Sequence, residues 1–478
     1  MEKERVMIAL DCGNSSFRTV AGIYRDGKIE SRVLDQIPNG TVKAGDYYYW
    51  DILNIFGKFK ESLKKAVKQY HIESVGICTW GVDFALFDGE GHMLQNPLCY
   101  RNTIGERYLE ELSAGDREEL FFETGILCDK INSVYMLSGM KELFPSIYKA
   151  ADKCLMIPDI LNYFLTGEMV NEPSELSTTQ LMDSGTGQIS AAVCEKMGID
   201  KKLFARIGRH GERIGSVRQD ILKEIGADYE IPVICVPSHD TASAVAAIPV
   251  REKNFGFISS GTWSLIGTEL DEPVRDRSVM EAGLTNEAGA FGTITLLKNS
   301  AGMFVVNLLK KEYETEKGEK VSWEEISKMA EKCSRRETVD LNSPDFFNPS
   351  SMSKALRNCL KEKTSAGENM DWGLLFRTFY ESLAAAYGET IREIEKATGK
   401  ELENVYIVGG GSASRILLRL MSEQIGKSIV VCYGESTSMG NLAVQVKYSH
   451  PEYTLKDLRS IIRNSYRTEV IKPEGEED

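Results

Sequence analysis

Hydrophobic residues near the start of the chain come in short runs. Residues 6–10 and 19–24 are apolar, and between them lies Asp11-Cys12-Gly13-Asn14-Ser15-Ser16-Phe17-Arg18. Strand, polar turn with glycine, strand is the pattern of a β-hairpin. Asp26-Gly27 then predicts a tight turn into a third strand over residues 28–34. The period changes over residues 50–69, where Ile52, Ile55, Phe56, Phe59, Leu63 and Val67 recur at helical spacing. Residues 74–78 read as a buried strand, with Trp80-Gly81-Val82-Asp83-Phe84 after it. Hairpin strands first, then strands alternating with helices, predict a mixed sheet in an α/β layered domain. Residues 100–225 read as mostly helical. Within them 159–165 and 177–181 fit no single period, and 206–224 reads as a connector.

At the middle of the chain an apolar run, residues 231–236, predicts a buried strand leading to Pro237. Ser238-His239-Asp240-Thr241 then opens an alanine-rich run that ends at Pro249, the composition of a tightly packed helix. Ser238, Asp240 or Thr241 would each cap it, since a side-chain oxygen there accepts a free amide hydrogen bond. A helix start also suits a phosphate-bearing ligand. After Pro249 the pattern begins again. Residues 254–258 form a strand, Ser259-Ser260-Gly261-Thr262 a polar glycine turn, and 263–267 a strand. Gly261 lies 248 positions beyond Gly13, a repeat of form that points to duplication. Further on, a strand is expected over 293–297. Ser322-Trp323-Glu324-Glu325 is a capping-box start, and 372–397 a long amphipathic helix. A strand over 405–408 meets Gly409-Gly410-Gly411-Ser412. Helix 414–425, strand 428–432 and helix 438–446 follow, then an acidic tail, 474–478, expected to fray.

Lys and Arg number 57 against 71 Asp and Glu, a net charge of −14. That balance argues against a nucleic-acid footprint and an anionic membrane surface. It leaves room for an anionic nucleotide, which needs only local positive potential and backbone amides. No apolar run reaches transmembrane length, and the start of the chain has no signal-peptide core, so a cytoplasmic location is expected. The ten cysteines are scattered without a Cys-x-x-Cys pair, which favours reduced thiols. Five histidines without His-Glu-x-x-His disfavour a metalloprotease-type centre.

Four small, polar turns each follow an apolar strand: residues 11–18, 238–241, 259–262 and 409–412. None is a P-loop or a Gly-x-Gly-x-x-Gly turn. Small side chains let backbone N–H groups approach phosphate oxygens, and hydroxyls add donors. Two such hairpins in matching half-chains would clamp a triphosphate. A carboxylate beside phosphates repels them unless a cation intervenes, so Asp11 is read as facing Mg2+, directly or through water. Asp240 then fits a general base that takes the proton of an acceptor hydroxyl. His239 is open between a sugar contact and a structural histidine, and Trp80 between stacking on a sugar and filling the core.

The motifs Asp11-x-Gly-x-Ser-Ser, Thr79-Trp80-Gly81-Val82-Asp83-Phe84, Ser238-His239-Asp240-Thr241-Ala242-Ser243-Ala244, Ser259-Ser260-Gly261-Thr262-Trp263-Ser264 and Gly409-Gly410-Gly411 stand in this order. In that order and wording the chain resembles the FGGY carbohydrate kinases, most of all their rhamnulokinase branch. Thr285-Asn286-Glu287 and Leu297-Lys298-Asn299 strengthen the resemblance. It implies two actin-like ATPase domains of ribonuclease H-like topology with a cleft between them. Residues 1–248 would be the sugar-binding domain with the first phosphate loop, and 249–478 the nucleotide-binding domain. It implies transfer of the ATP γ-phosphate, with Mg2+, to the 1-hydroxyl of a ketose, L-rhamnulose, by a monomer or homodimer. Asp240 is then the proton acceptor, and Gly81, His239, Thr241, Asn299, Trp80 and Arg101 line the sugar. Asn14, Ser15, Ser16, Phe17 and Arg18 form the first phosphate loop and Thr262 the second, with Asn307, Gly410 and Gly411 by the nucleotide. Five positions depart from the family pattern: Phe17 replaces a glycine, Asn102 an aspartate, Asn307 a glutamine, and Met303-Phe304 a Leu-Trp pair. Two alternatives stay open, a kinase for another ketose or polyol such as L-fuculose or L-xylulose, and a catalytically weak ATP- and sugar-binding sensor. A non-enzymatic ATP-gated binding protein is disfavoured, because a base stands where a sugar hydroxyl would arrive.

Overall fold

The computed structural model describes residues 3–347, 349–363 and 370–473, so the tail 474–478 lies outside the described residues. The chain packs as two compact units that are not contiguous in sequence. The first takes Met1–Pro249 together with Glu269–Leu296 and Glu435–Ser465; the second takes Val250–Thr268, Leu297–Gly434 and the residues from Tyr466 on.

In the first unit the expected hairpin forms from Glu4–Cys12 and Ser16–Arg25, with Met7 opposite Gly22 and Cys12 opposite Phe17. Lys28–Pro38 adds the third antiparallel strand. On its other side Glu4–Cys12 runs parallel to Tyr70–Thr79, which runs parallel to Pro232–Ile234. Three parallel strands therefore end on one sheet edge, the usual place for a ligand in an open α/β sheet. There Asp11 lies beside Cys78, and Thr79 bridges to His239.

Side-chain alternation splits the sheet into two faces. Val6, Ile8, Leu10, Val75 and Ile77 join one hydrophobic core with Ile52, Ile55, Phe59 and Leu63 of the helix Ile52–Gln69. Asp51 caps that helix by accepting from the amide of Asn54. Burial of each such aliphatic side chain contributes about 1.5–3 kcal/mol of transfer free energy.

The opposite face presents Gly22, Ser74, Gly76 and Cys78, and against it packs the helix Ser436–Ser449. Small residues are needed there, because a Cβ at Gly76 would stand 2.4 Å from Asn441 Oδ1. Leu442 packs over Gly22, and the rest of the contact is bridged by hydrogen-bonded polar side chains. Ser74 Oγ donates to Gln445 Oε1 at 2.6 Å, and Gln445 Nε2 donates to the Ile8 carbonyl at 3.0 Å. Of the stretches without a clear period, one belongs to the helix Ile157–Thr166. The other begins at the end of the helix Pro173–Ser177, whose N-terminus Glu172 caps. The expected connector contains the strand Arg213–Ser216 and the helix Gln219–Ile225.

The second unit repeats the plan. Phe255–Ser260 and Trp263–Leu270 form a hairpin, with Ser260 opposite Ser264. Phe255–Ser260 runs parallel to Asn404–Val408, which runs parallel to Ile429–Tyr433. Ser322 and Glu325 form the expected capping box ahead of the helix Trp323–Lys332, and the long helix spans Trp372–Thr398. Among the described residues no helix is long and apolar enough to cross a membrane.

Candidate active site

The alanine-rich run is helical over Asp240–Ala246, but its cap differs from expectation. The N-cap is His239, and none of Ser238, Asp240 or Thr241 accepts the capping hydrogen bond. Their oxygens are committed nearby: Ser238 Oγ donates to the Val236 carbonyl at 3.0 Å, and Thr241 Oγ1 donates to Asp240 Oδ1 at 3.2 Å. Asp240 is thus the first helical residue, with a carboxylate that caps nothing and is 39% exposed.

His239 sits between two carboxylates. Its Nε2 is 3.6 Å from Asp240 Oδ1, and its Nδ1 is 3.1 Å from Glu287 Oε2. The Nδ1 contact is ionic rather than a directed hydrogen bond. Burial alone would lower the imidazole pKa, but the charge of Glu287, then Asp240 and Glu172, raises it to about 9. His239 is therefore an imidazolium at neutral pH.

Behind it runs a buried chain of hydrogen bonds. The amide of His239 donates to Ser174 Oγ at 3.0 Å, and Ser174 Oγ donates to Glu172 Oε2 at 2.6 Å. Glu172 Oε1 faces His210 Nε2 at 2.5 Å, and His210 Nδ1 accepts from the amide of Phe291 at 2.8 Å. Since Nδ1 accepts, the ring proton lies on Nε2. Burial pushes Glu172 up, yet the bonds from His210, Ser174 and the Glu175 amide hold it below the usual carboxylate range. Neighbouring Glu175 is the reverse case: burial, with Glu172, Asp159 and Asp240 adding to it, pushes its pKa well up.

Asp11 is 8% exposed and lies one residue inside the end of its strand, paired with Arg18, so the turn is shorter than the expected 11–18. Ser438 Oγ donates to its Oδ2 at 3.2 Å, and Arg18 Nη2 lies 3.7 Å away. Arg18 also pairs with Glu435. Burial pushes Asp11 up to about 6, with Arg18 opposing and Asp240 reinforcing. The turn after it leaves Asn14 and Ser15 exposed and Ser16 half-buried. Phe17 is buried, and it is absent from the positive-φ residues, so this position does not require the freedom of glycine. Among the described residues no three His, Cys, Asp or Glu side chains form a ready-made cation site.

Of the remaining residues expected at the sugar, Gly81 is buried, and a Cβ there would stand 2.9 Å from Thr178 Cγ2. Thr241 is buried, whereas Arg101 is exposed, with its guanidinium 5.6 Å from the Tyr100 ring centroid. Trp80 fills the core instead of offering a face for stacking. Its ring lies 4.1 Å from that of Trp50, and both indole N–H groups donate to Asp83 Oδ2. Asn102 is a structural staple: its amide donates to the Tyr48 and Cys99 carbonyls and accepts from the Tyr48 amide.

Thr262, Asn307, Gly410 and Gly411, expected at the nucleotide, lie in the second unit, as does Asn299, expected at the sugar. Thr262 is exposed at the hairpin turn, where the Gly261 amide donates to the Trp263 carbonyl at 3.0 Å. Gly409 has φ 84°, and Gly410 is exposed with no atom closer than 3.9 Å to its would-be Cβ. Gly411 is buried against Ser260, and Asn307 is exposed on the helix Phe304–Lys317. Asn299 lines a cavity of about 190 Å³ with Trp263, Phe304 and Phe346.

Sequence reasoning missed Ser438, Glu435, Glu172, His210 and the role of Glu287. Glu287 alone had a signal, the Thr285-Asn286-Glu287 motif.

The family model for the N-terminal domain of the FGGY carbohydrate kinases matches residues 6–247, and that for the C-terminal domain matches 256–448. A rhamnulokinase of Bacteroides thetaiotaomicron is 33% identical over 472 residues, 98% of this chain and 95% of that protein. One from Bacillus subtilis is 32% identical over 475 residues, 98% and 95% respectively. Among solved structures, a ligand-bound xylulose kinase from Lactobacillus acidophilus superposes with a TM-score of 0.82 at 15% identity, covering 98% of this chain and 94% of that one. Plasmodium falciparum glycerol kinase with ADP gives 0.79 at 17% identity, with 98% and 94% covered.

Proposed function

Because the chain belongs to the FGGY family of carbohydrate kinases and is an ATP-dependent, rhamnulokinase-like sugar kinase, we propose that it phosphorylates the 1-hydroxyl of L-rhamnulose with Asp240 as general base. The observation that carries this reading is the state of Asp240: uncapped, solvent-accessible, and on the sheet edge that also bears Asp11. Phosphoryl transfer asks the protein mainly to align the acceptor hydroxyl and to take its proton as the new bond forms. Asp240 takes that proton. His239, as an imidazolium, donates to sugar oxygens, while Gly81, Thr241, Arg101 and Asn299 bound the sugar and Trp80 supports it from the core. Asn14, Ser15, Ser16, Phe17 and Arg18 meet the phosphates from the first unit. Thr262, Asn307, Gly410 and Gly411 meet the nucleotide from the second, where small residues admit backbone N–H groups. Residues 1–248 then form the sugar-side sequence domain and 249–478 the nucleotide-side domain.

Asp11 fits magnesium: it is a buried carboxylate strained further by Asp240, and a hard cation relieves both loads. Mg2+ binds through one or two carboxylates plus phosphate oxygens and waters, and when bound supplies positive charge against the phosphate oxygens.

Asp240→Asn keeps the shape and removes the basicity. Ketose-dependent ADP release is expected to fall about 10²–10⁴-fold while sugar and ATP still bind in calorimetry. Turnover near wild type would remove the assignment. Across a panel of L-rhamnulose, L-fuculose, L-xylulose and polyols, L-rhamnulose is expected to give the highest kcat/KM, and another winner would replace it as the substrate.

A further inference from the structure

We propose that Glu287 is a positioning residue for the reaction: it sets the charge and orientation of the His239 imidazole beside Asp240. Glu287 and Asp240 flank one ring, at 3.1 Å from Nδ1 and 3.6 Å from Nε2. Glu287 is half-buried, and His239 is its one ion-pair partner among the described residues. A carboxylate so placed repels the base unless a cation stands between them, and the imidazolium is that cation.

The placement of Glu287 is over-determined. Its strand, Thr285–Ala288, is tied to the helix Pro173–Ser177 by the Ala288 amide, which donates to Ser177 Oγ at 3.0 Å. The same helix carries Ser174, which accepts from the His239 amide. Three residues past Ala288, Phe291 is held at φ 55°, a backbone region unusual for a bulky residue. Its amide donates to His210, and His210 closes the chain back to Glu172. The ring of His239 and its backbone are thus both anchored to the segment 285–291.

The charged groups that bear on the imidazole are Glu287 from its strand, Asp240 from its own helix, and Glu172 at the head of the helix Pro173–Ser177. Glu175 and Asp11 bear on Asp240 in turn. The helix Ser436–Ser449, packed on the helix Asp240–Ala246, has Glu435 at its N-cap, and Glu435 is paired with Arg18. Among the described residues only Glu287 pairs with Nδ1, so its loss frees that nitrogen to give up its proton.

The test is Glu287→Gln, read in two ways. Ring carbon–proton NMR follows the five histidines of the free protein, with His239 assigned through His239→Gln. The pH profile of kcat/KM is measured in parallel. In the wild type His239 is expected to titrate at about 9. In Glu287→Gln the midpoint is expected to drop by about one unit or more, and the alkaline limb of kcat/KM to move with it. At about pH 8 a one-unit shift takes the protonated fraction from about nine-tenths to about one-half and lowers kcat/KM roughly twofold, and well above pH 9 the same shift approaches tenfold. Glu287→Asp, which keeps the charge, is expected to restore most of both. A wild-type midpoint near the ordinary 6.5, or a Glu287→Gln midpoint and limb that stay put, overturns the proposal. A merely structural Glu287 would lower Tm and leave the limb in place. Should Glu287→Gln not fold, the wild-type titration and Glu287→Asp decide. The kinetic arm rests on the sugar-kinase reading, but the NMR arm does not. A wild type that releases no ADP with any ketose would sink that reading while the titration still judges this one.

Discussion

The short helix that carries Asp240 is pressed against the helix Ser436–Ser449 at a single glycine, and that contact yields a sharp prediction. A Cβ placed on Gly440 would stand 1.9 Å from the Ser243 carbonyl oxygen. Ordinary contact begins near 3.4 Å, so Gly440→Ala must part the two helices by about 1.5 Å at that point. The neighbour cannot yield by rotating a side chain, because the clashing atom is backbone and already accepts from the Ala247 amide. Ser243 is also tied to Pro237 through its hydroxyl, at 2.7 Å. Overpacking of this kind costs about 1–3 kcal/mol. A backbone clash this close belongs at the upper end of that range, and alanine in a helix returns up to about 1 kcal/mol over glycine, so a net loss of about 2 kcal/mol is expected. Asp240 is three residues from the clash, and a misplacement near 1 Å in a catalytic group costs about 10²-fold in rate. Thermal unfolding and ketose-dependent ADP release measure the two effects. Gly57→Ala is the control: it lies in the helix Ile52–Gln69, and a Cβ there meets nothing within 4 Å. It is expected to keep full activity and gain stability. Gly440→Ala behaving like Gly57→Ala, with Tm unchanged or raised and turnover intact, would refute the argument.

Asn102→Asp restores the usual residue of the family yet is expected to destabilise by about 2–4 kcal/mol in chemical unfolding. It removes two amide donors and turns a carboxylate toward the Tyr48 and Cys99 carbonyls. The stability of the free protein should also carry the mark of His239. Its folded pKa lies above the unfolded 6.5, so its ion pairs stabilise fully below about 6.5 and lose that contribution as pH rises through about 9. Tm is therefore expected to fall across that interval, and His239→Gln to flatten the fall. An equal slope in both proteins would assign the loss to other groups.

Local pattern determined much of this protein. Alternation and a glycine turn are enough to specify a hairpin, and both hairpins stand where the apolar runs put them, as does the helix Ile52–Gln69 with its 3.6-residue period. The motif order carried the family. The candidate base was legible because Asp240 follows a strand and opens a helix, a position read from neighbours in sequence. Its uncapped state was not legible, because capping is decided by where the hydroxyls of Ser238 and Thr241 find acceptors. Nor were the partners of Asp11 and His239. Ser438 reaches Asp11 across 427 residues, and Glu287 and His210 meet His239 and Phe291 only after distant strands and helices have docked. No periodicity encodes such meetings. They follow from which helix a face of small residues, Gly22, Ser74, Gly76 and Cys78, has room to accept, and that is settled by packing in three dimensions.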